Sequence, residues 1–374
     1  MNALKKVLLV ANSTWNFYNF RQNIIDALLE KNYEVILISP VDEYLNPLLN
    51  AKPIRHIRLR QLERMGTNPY RDIRLFFELL NIYKTEQPDL IIHYTIKPNI
   101  YGNLAARICK IKSICVVTGL GYVFLHHSFF NSVAKRLIRT SFKSSSMVVF
   151  ENEDDQQLFI EQQLVTRKQT ALVNGCGINL EYFKPIKTPK DDNNKIIFSF
   201  IARLIKDKGI TEYVDAARRI QLLNENVEFW VAGELDKNNP TCIAEDQLME
   251  WIQSGVIKYF GALKDVRPLI SKSDCIVLPS YREAMARTLT ESLAMEIPVI
   301  TANSSGCNFV VDEGQNGFLV PPKDAMALSE AIEKFLSLDQ TERSKMGKRG
   351  REKMIELFDE KIVTNQFLQI INMV

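Results

Sequence analysis

Short runs of consecutive apolar residues recur along the chain, and most are followed by a stretch whose apolar positions return every three or four residues. Lys6–Val10 is the first such run; Asn19–Lys31 behind it has helical spacing, and Tyr33–Ser39 is continuous again. Leu90–His93, a helical stretch over Asn99–Cys109, Ser113–Thr118, a helix around Asn131–Phe142 and Met147–Phe150 extend the alternation. Runs apolar at every residue bury both faces of a strand, which predicts parallel strands with helices on either side.

The pattern then restarts. Lys195–Ile201 predicts a strand, Gly209–Leu223 a helix and Val227–Ala232 a strand, with further strands at Ile257–Phe260, Cys275–Leu278 and Pro298–Thr301. Between the halves, Pro185–Lys195 is rich in Pro, Lys, Asp and Asn, the chemistry of a linker. The expectation is an α/β protein of two Rossmann-like, doubly wound domains facing a cleft, spanning 1–185 and 186–374. The tail from Asp339 predicts helices, and periodicity leaves open whether the last one packs on its own domain or crosses back to the first.

Composition agrees with two cores. The 374 residues are 46% hydrophobic and 24% charged, as in soluble globular proteins; the net charge of +3 is near neutral and says little about partners, and no nucleic acid is expected. The six cysteines are scattered without metal-ligand spacing, which fits a reducing cytoplasm. The N-terminal apolar run is too short for a secretory signal, and no stretch approaches the roughly 18 apolar residues of a membrane span.

Two segments carry candidate chemistry. Glu283 and Glu291 lie in a stretch that leaves the strand Cys275–Leu278 and enters a helix, where strand ends and helix N-termini collect ligands. Carboxylates there suit sugar hydroxyls, since charged acceptors make the stronger hydrogen bonds; a loop Glu and a solvated helix Glu are the alternative. Arg203 and Lys208 lie just after another strand and are placed to converge on one diphosphate, with a solvated basic turn as the alternative.

On these residues the chain resembles a known family. Glu283-Ala-Met-Ala-Arg-Thr-Leu-Thr-Glu291 has the E-x7-E form of the retaining glycosyltransferase family 4, and Arg203 to Lys208 resembles its R-x4-K diphosphate motif. Gly175–Pro185 is similar to its interdomain sequence, and Gly314–Phe318 with Val320–Pro322 to its closing motif. Asn16–Arg21, His93–Gly102 and Thr118–Phe124 resemble a narrower branch, bacterial transferases that build lipid-linked glycans and polysaccharide repeat units.

The resemblance implies the two-domain glycosyltransferase B fold and retention of anomeric configuration without a metal or other cofactor. It further implies transfer of an N-acetylhexosamine or related sugar from a UDP-sugar to a lipid-diphosphate-linked saccharide. Arg203 and Lys208 would hold the diphosphate, Glu291 the ribose, and Glu283 would touch the donor sugar; Arg203, Lys208 and Glu283 are the catalytic candidates. Gly233, Tyr259, Phe260 and Val266 would shape the nucleotide pocket, together with Ala284, Met285, Ala286, Thr288 and Leu289. Many members have E-G-[FL]-P where this chain has Glu283-Ala284-Met285-Ala286. Alanine at 284 loses glycine's backbone freedom and loss of proline at 286 is expected to loosen the turn.

The first half has no acidic residue between Asp89 and Glu151, which argues against a carboxylate nucleophile there and against a sugar-nucleotide 2-epimerase. A non-catalytic nucleotide-sugar-binding protein is the other alternative. The same stretch carries Lys135, Arg136, Arg139 and Lys143 interleaved with Phe129, Phe130, Val133, Leu137, Ile138 and Phe142, predicting contact of 129–143 with an anionic membrane. An ordinary surface helix with its apolar face in the core is the alternative. A cytoplasmic protein, peripheral on the inner face of the cytoplasmic membrane, follows. Acceptor-side candidates are Asn12, Trp15, His93, Lys97, Thr118 and Gly119, with His93 and Lys97 suited to an acceptor phosphate and a structural His at a strand end as the alternative; His126 and His127 fall on a nearby loop.

Overall fold

The computed structural model describes residues 5–63, 68–119, 132–186 and 195–374. The chain forms two compact units, one of Met1–Gly177 with Glu360–Val374 and one of Ile178–Asp359. Residues 178–185 thus belong to the second unit, and the last helix to the first.

In the first unit the order is β1 (Lys6–Val10), α1 (Thr14–Phe20), α2 (Gln22–Glu30), β2 (Glu34–Ser39), α3 (Leu45–Ala51), β3 (Arg55–Arg58), α4 (Pro69–Glu86), β4 (Leu90–Tyr94) and α5 (Asn103–Cys109). Then follow β5 (Lys112–Val117), α6 (Ser132–Phe142), β6 (Met147–Phe150), α7 (Glu153–Glu161) and β7 (Thr170–Leu172). The strands form a parallel sheet in the order β3-β2-β1-β4-β5-β6-β7. Alternate residues of β1 enter opposite cores: Val7 and Leu9 pack with α2, Leu8 and Val10 with α4. That alternation is why the strand is apolar at every position.

Asn19–Lys31 is not one helix. The break falls at Arg21, which joins α1 to α2 outside helical geometry and sends its guanidinium 2.9 Å to Glu151, both residues being buried. The edge strand β3, with Arg55 and Arg58 exposed, lacks the apolar run that announces the central strands.

The second unit contains β8 (Ile196–Ile201), α8 (Ile210–Leu223), β9 (Val227–Ala232), α9 (Glu245–Gln253), β10 (Lys258–Tyr259), α10 (Arg267–Lys272) and β11 (Cys275–Leu278). It continues with α11 (Arg287–Ala294), β12 (Val299–Ala302), β13 (Gly317–Val320), α12 (Ala325–Ser337) and α13 (Gln340–Lys353). Its parallel sheet runs β10-β9-β8-β11-β12-β13. Phe198, Phe200, Tyr213 and Phe229 form an aromatic centre beneath it. The closing helix α14 (Glu360–Met373) puts Val363, Phe367, Ile370 and Ile371 into the first unit's core, and Asn23 of α2 donates 2.9 Å to its Thr364.

Candidate functional site

The predicted donor residues gather at the carboxyl ends of β8, β9 and β11 in the second unit. The turn after β8 carries Arg203 and Lys208 and ends at Gly209, whose left-handed φ of 76° starts α8. A Cβ on Gly209 would stand 2.3 Å from the carbonyl oxygen of Pro279, so only glycine lets this turn lie against the loop after β11. The two loops are then bonded: Tyr281 N donates 2.9 Å to the Asp207 carbonyl.

That contact brings Lys208 to Glu283. The ammonium donates to Glu283 Oε1, and Ser280 donates to the same oxygen at 2.9 Å. Arg203 reaches the other way, to Asp236 beyond β9, at 2.5 Å. Both cations remain partly accessible, with side chains 36% exposed for Arg203 and 17% for Lys208. Two partly accessible cations on one turn, each steadied by one carboxylate, present N–H donors of the kind that charged oxygens accept.

Glu283 is held by a loop that sequence reasoning did not single out. Glu283 N donates 2.8 Å to the Ser305 carbonyl, Ala286 N donates 2.9 Å to that of Gly306, and Ser304 donates 2.7 Å to that of Ser280. Gly306 has φ 77°, and a Cβ there would meet the Glu283 carbonyl oxygen at 2.2 Å. These bonds correct the expectation of a loosened turn. Ala286 uses the N–H that a proline would lack, and Ala284 is not among the residues with left-handed backbone, so it needs no glycine. Buried Cys307 lies beside this loop, its thiol pushed up to about 12 by burial and further by the charge of Glu283, and so stays protonated.

Glu291 sits one turn and a half into α11, 8% exposed, and accepts 2.6 Å from Arg287 Nε. Burial raises its pKa above the usual carboxylate range, and Arg287 works against that rise. Arg287 was missed, although its spacing of four residues before Glu291 on a helix is the signal for such a pair. Thr288 donates 2.9 Å to the Ile201 carbonyl and so pins the start of α11 to the end of β8. Leu289 and Ala286 are buried in the core, so their side chains support the loop from below; Met285 packs half-buried against that core.

The residues expected to shape the nucleotide pocket also lie together. Tyr259 donates 2.7 Å to the Gly233 carbonyl, Gly233 N donates 2.8 Å to that of Gly261, and the 41%-exposed Phe260 ring lies 5.0 Å from Trp230. Val266 precedes α10 and packs half-buried on the same core.

In the first unit several candidates turn out to be structural. His93 is fully buried, bonded through Nε2 to Tyr83 at 2.9 Å, and burial pushes it down to about 3. A buried, neutral imidazole contacts no acceptor phosphate, which corrects that expectation. Lys97 is spent on Asp72, 2.7 Å away, and Tyr101 donates to the same carboxylate at 2.9 Å. Trp15 is 43% exposed and donates its backbone N–H to Asp42 at 2.9 Å. Asn12, half-buried, follows β1, and Thr118 and Gly119 follow β5, so these three keep strand-end positions.

The apolar side of α6 is likewise interior: Ile138 and Phe142 are buried with Phe150 and Phe159, while Lys135 and Arg139 reach Gln162. The expected membrane contact through Leu137, Ile138 and Phe142 is thereby corrected, because side chains filling a core are not free to enter lipid. Gly121, His126, His127, Phe129 and Phe130 lie outside the described residues, as does the side chain of Val133.

Two parallel α/β sheets, one of them with two cations and two carboxylates gathered at its strand ends, define a two-unit α/β class of protein with one polar loop cluster. Comparison with known proteins agrees: residues 6–152 match the family described as glycosyl transferase 4-like, and residues 183–353 match glycosyl transferases group 1. The chain belongs to these families and is a glycosyltransferase. It is 28% identical over 372 residues, 95% of each chain, to the N,N'-diacetylbacillosaminyl-diphospho-undecaprenol alpha-1,3-N-acetylgalactosaminyltransferase of Campylobacter jejuni. It is 23% identical to the capsular polysaccharide biosynthesis glycosyltransferase CapM of Staphylococcus aureus, over 93% of this chain and 92% of CapM. Among solved structures, Anabaena Alr3699/HepE in complex with UDP and glucose superposes with a TM-score of 0.77 at 18% identity, covering 99% of this chain and 100% of HepE.

Proposed function

We propose that the protein is a retaining glycosyltransferase that moves a sugar, an N-acetylhexosamine or a close relative, from a UDP-sugar to a lipid-diphosphate-linked saccharide. The product belongs to bacterial surface polysaccharide or glycan assembly, and the enzyme works peripherally on the inner face of the cytoplasmic membrane. One observation carries the donor half: Arg203 and Lys208 rise from a single turn with Glu283 bonded to Lys208. The acceptor half is supported by the Campylobacter relative, which acts on an undecaprenol-diphosphate-linked sugar.

In this reading the acceptor hydroxyl attacks the anomeric carbon from the face the diphosphate leaves. The bond from that carbon to the diphosphate oxygen breaks, UDP departs with the electron pair, and its phosphate oxygen takes the acceptor proton. Arg203 and Lys208 stabilise the charge that builds on the leaving group, Glu283 orients the donor sugar and Glu291 the ribose. Neither a metal nor another cofactor takes part.

The test is incubation with a panel of UDP-sugars and lipid-diphosphate acceptors, with and without EDTA, reading products by mass spectrometry. Transfer that survives EDTA and keeps the donor's anomeric configuration is expected; donor turnover without acceptor, or binding alone, overturns the reading. Arg203→Ala should lower kcat about a hundredfold or more while changing UDP affinity far less. An unchanged kcat removes Arg203 from the mechanism.

A further inference from the structure

Helix α4 presents an unusual outer face. Asn68 caps it, accepting 3.0 Å from Tyr70 N, and Pro69 fixes its first turn. Leu75, Leu79 and Tyr83 face the core. On the opposite side stand Tyr70, Ile73 and Phe77, exposed by 62%, 55% and 59%. At about 100° per residue these three fall within an arc of roughly 60°. Arg74, Asn81 and Lys84, all exposed, share that side of the helix, and the Arg74 guanidinium lies 4.9 Å over the Tyr70 ring.

No carboxylate of α4 shares this arc, and each one is already bound. Asp72 holds Lys97 and Tyr101, Glu78 accepts the backbone N–H groups of Arg60 and Gln61, and Glu86 pairs with Lys6 and Arg55. At the end of the adjoining α5, Arg107 and Ile108 are exposed, as is Lys110 just beyond it. A single exposed apolar residue needs no explanation, but three in one arc with cations and no anion do.

We propose that this face of α4 is a docking surface for an anionic lipid bilayer. Tyr70, Ile73 and Phe77 enter the boundary between headgroups and acyl chains, and Arg74 and Lys84 lie on the lipid phosphates. A second copy of the chain fits less well. From the exposures of its three apolar residues the patch measures on the order of 400 Å², against roughly 800 Å² per partner in a stable interface. The proposal moves the membrane contact from α6, whose described apolar side is interior, to a helix whose apolar side faces out. It rests on the lipid-linked-acceptor reading for its purpose, but the binding is measured without acceptor.

The full chain is mixed with vesicles of phosphatidylglycerol and phosphatidylethanolamine, or of phosphatidylcholine alone, and floated on a density gradient. It should rise with the first and not the second. The triple variant Tyr70→Ser, Ile73→Ser, Phe77→Ser should lose about tenfold in binding, and Arg74→Glu with Lys84→Glu a comparable amount. The Phe77→Trp variant, which preserves the fold, should gain fluorescence that brominated acyl chains quench. Failure of the wild type to float, equal flotation by a folded triple variant, or an added indole signal that brominated chains leave unquenched overturns the proposal. So does a concentration-dependent dimer that the triple variant dissociates. Transfer to a short-chain, water-soluble acceptor should be unchanged in these variants; if the wild type lacks that activity, the functional reading fails and the docking surface stands.

Discussion

At the carboxyl end of the first sheet, Arg21 pairs with Glu151 at 2.9 Å and lies 4.5 Å over the Tyr94 ring, with both charged side chains under 8% exposed. At the corresponding end of the second sheet, Arg203 pairs with Asp236 and Lys208 with Glu283, but the cations keep 36% and 17% of their side-chain exposure. The residue types are the same and the physics differs. A fully desolvated pair satisfies itself and fixes local geometry, here the break between α1 and α2. The second set keeps part of its exposure, and the loop carrying Glu283 is held by backbone bonds to Ser305 and Gly306 rather than by burial of its charge. Position at a strand end therefore does not by itself give a charged side chain access to solvent; what packs around it does.

The sharpest way to break the comparison is to remove one partner of each pair. Arg21→Met should cost about 3–5 kcal/mol by stranding Glu151 in the interior, and adding Glu151→Leu should restore most of it. Chemical denaturation of the single and double variants checks this, and additive losses would mean that the pair is not the unit. The Arg203→Ala variant should instead leave stability within about 0.5 kcal/mol, its loss falling on catalysis.

Arg287 and Glu291 lie between these extremes. Arg287→Ala should destabilise by about 1.5–3 kcal/mol near pH 8, because it leaves a buried carboxylate without its charged donor. Burial already raises the pKa of Glu291, and losing Arg287 raises it further, so the folded variant takes up that proton more readily than the wild type. The penalty should therefore shrink as pH falls through that raised value, and thermal melts of wild type and variant across pH 5–8 should converge at the acid end.

Ala286→Pro carries a smaller effect. It removes the N–H bonded to Gly306 and should cost about 0.5–1.5 kcal/mol with a weaker donor KM, although proline is the residue many relatives carry there. A neutral or stabilising outcome would show that the loop re-forms without that bond. His93→Gln should be the mildest near neutrality and should leave the acceptor KM unchanged. With His93 held near 3 in the folded protein and about 6.5 when unfolded, wild-type stability falls as pH drops below 6.5, by up to about 1.4 kcal/mol per pH unit. The variant's acid limb should be shallower by that slope.

Much of the candidate donor site was legible in the chain. Apolar runs located the central strands because those strands are buried on both faces, and Glu283, Glu291, Arg203 and Lys208 stood beside them at motif spacing. Edge strands such as β3 were silent, since half their positions face water. The acceptor-side candidates were least legible: His93 ends an apolar run, and nothing in its spacing separates an interior imidazole from a ligand-facing one.

What the sequence by itself determined is therefore the alternation of strands and helices, two repeats of it, and which residue types stand at the strand ends, because burial periodicity and short motifs are local properties. Only the tertiary structure decided which of those residues keep access to a ligand. Burial of His93, the Arg21–Glu151 pair, the bond from Ala286 to Gly306 and the outward face of α4 all depend on segments far apart in the chain. Desolvation is set by what packs around a group, and no residue's neighbours along the chain disclose that.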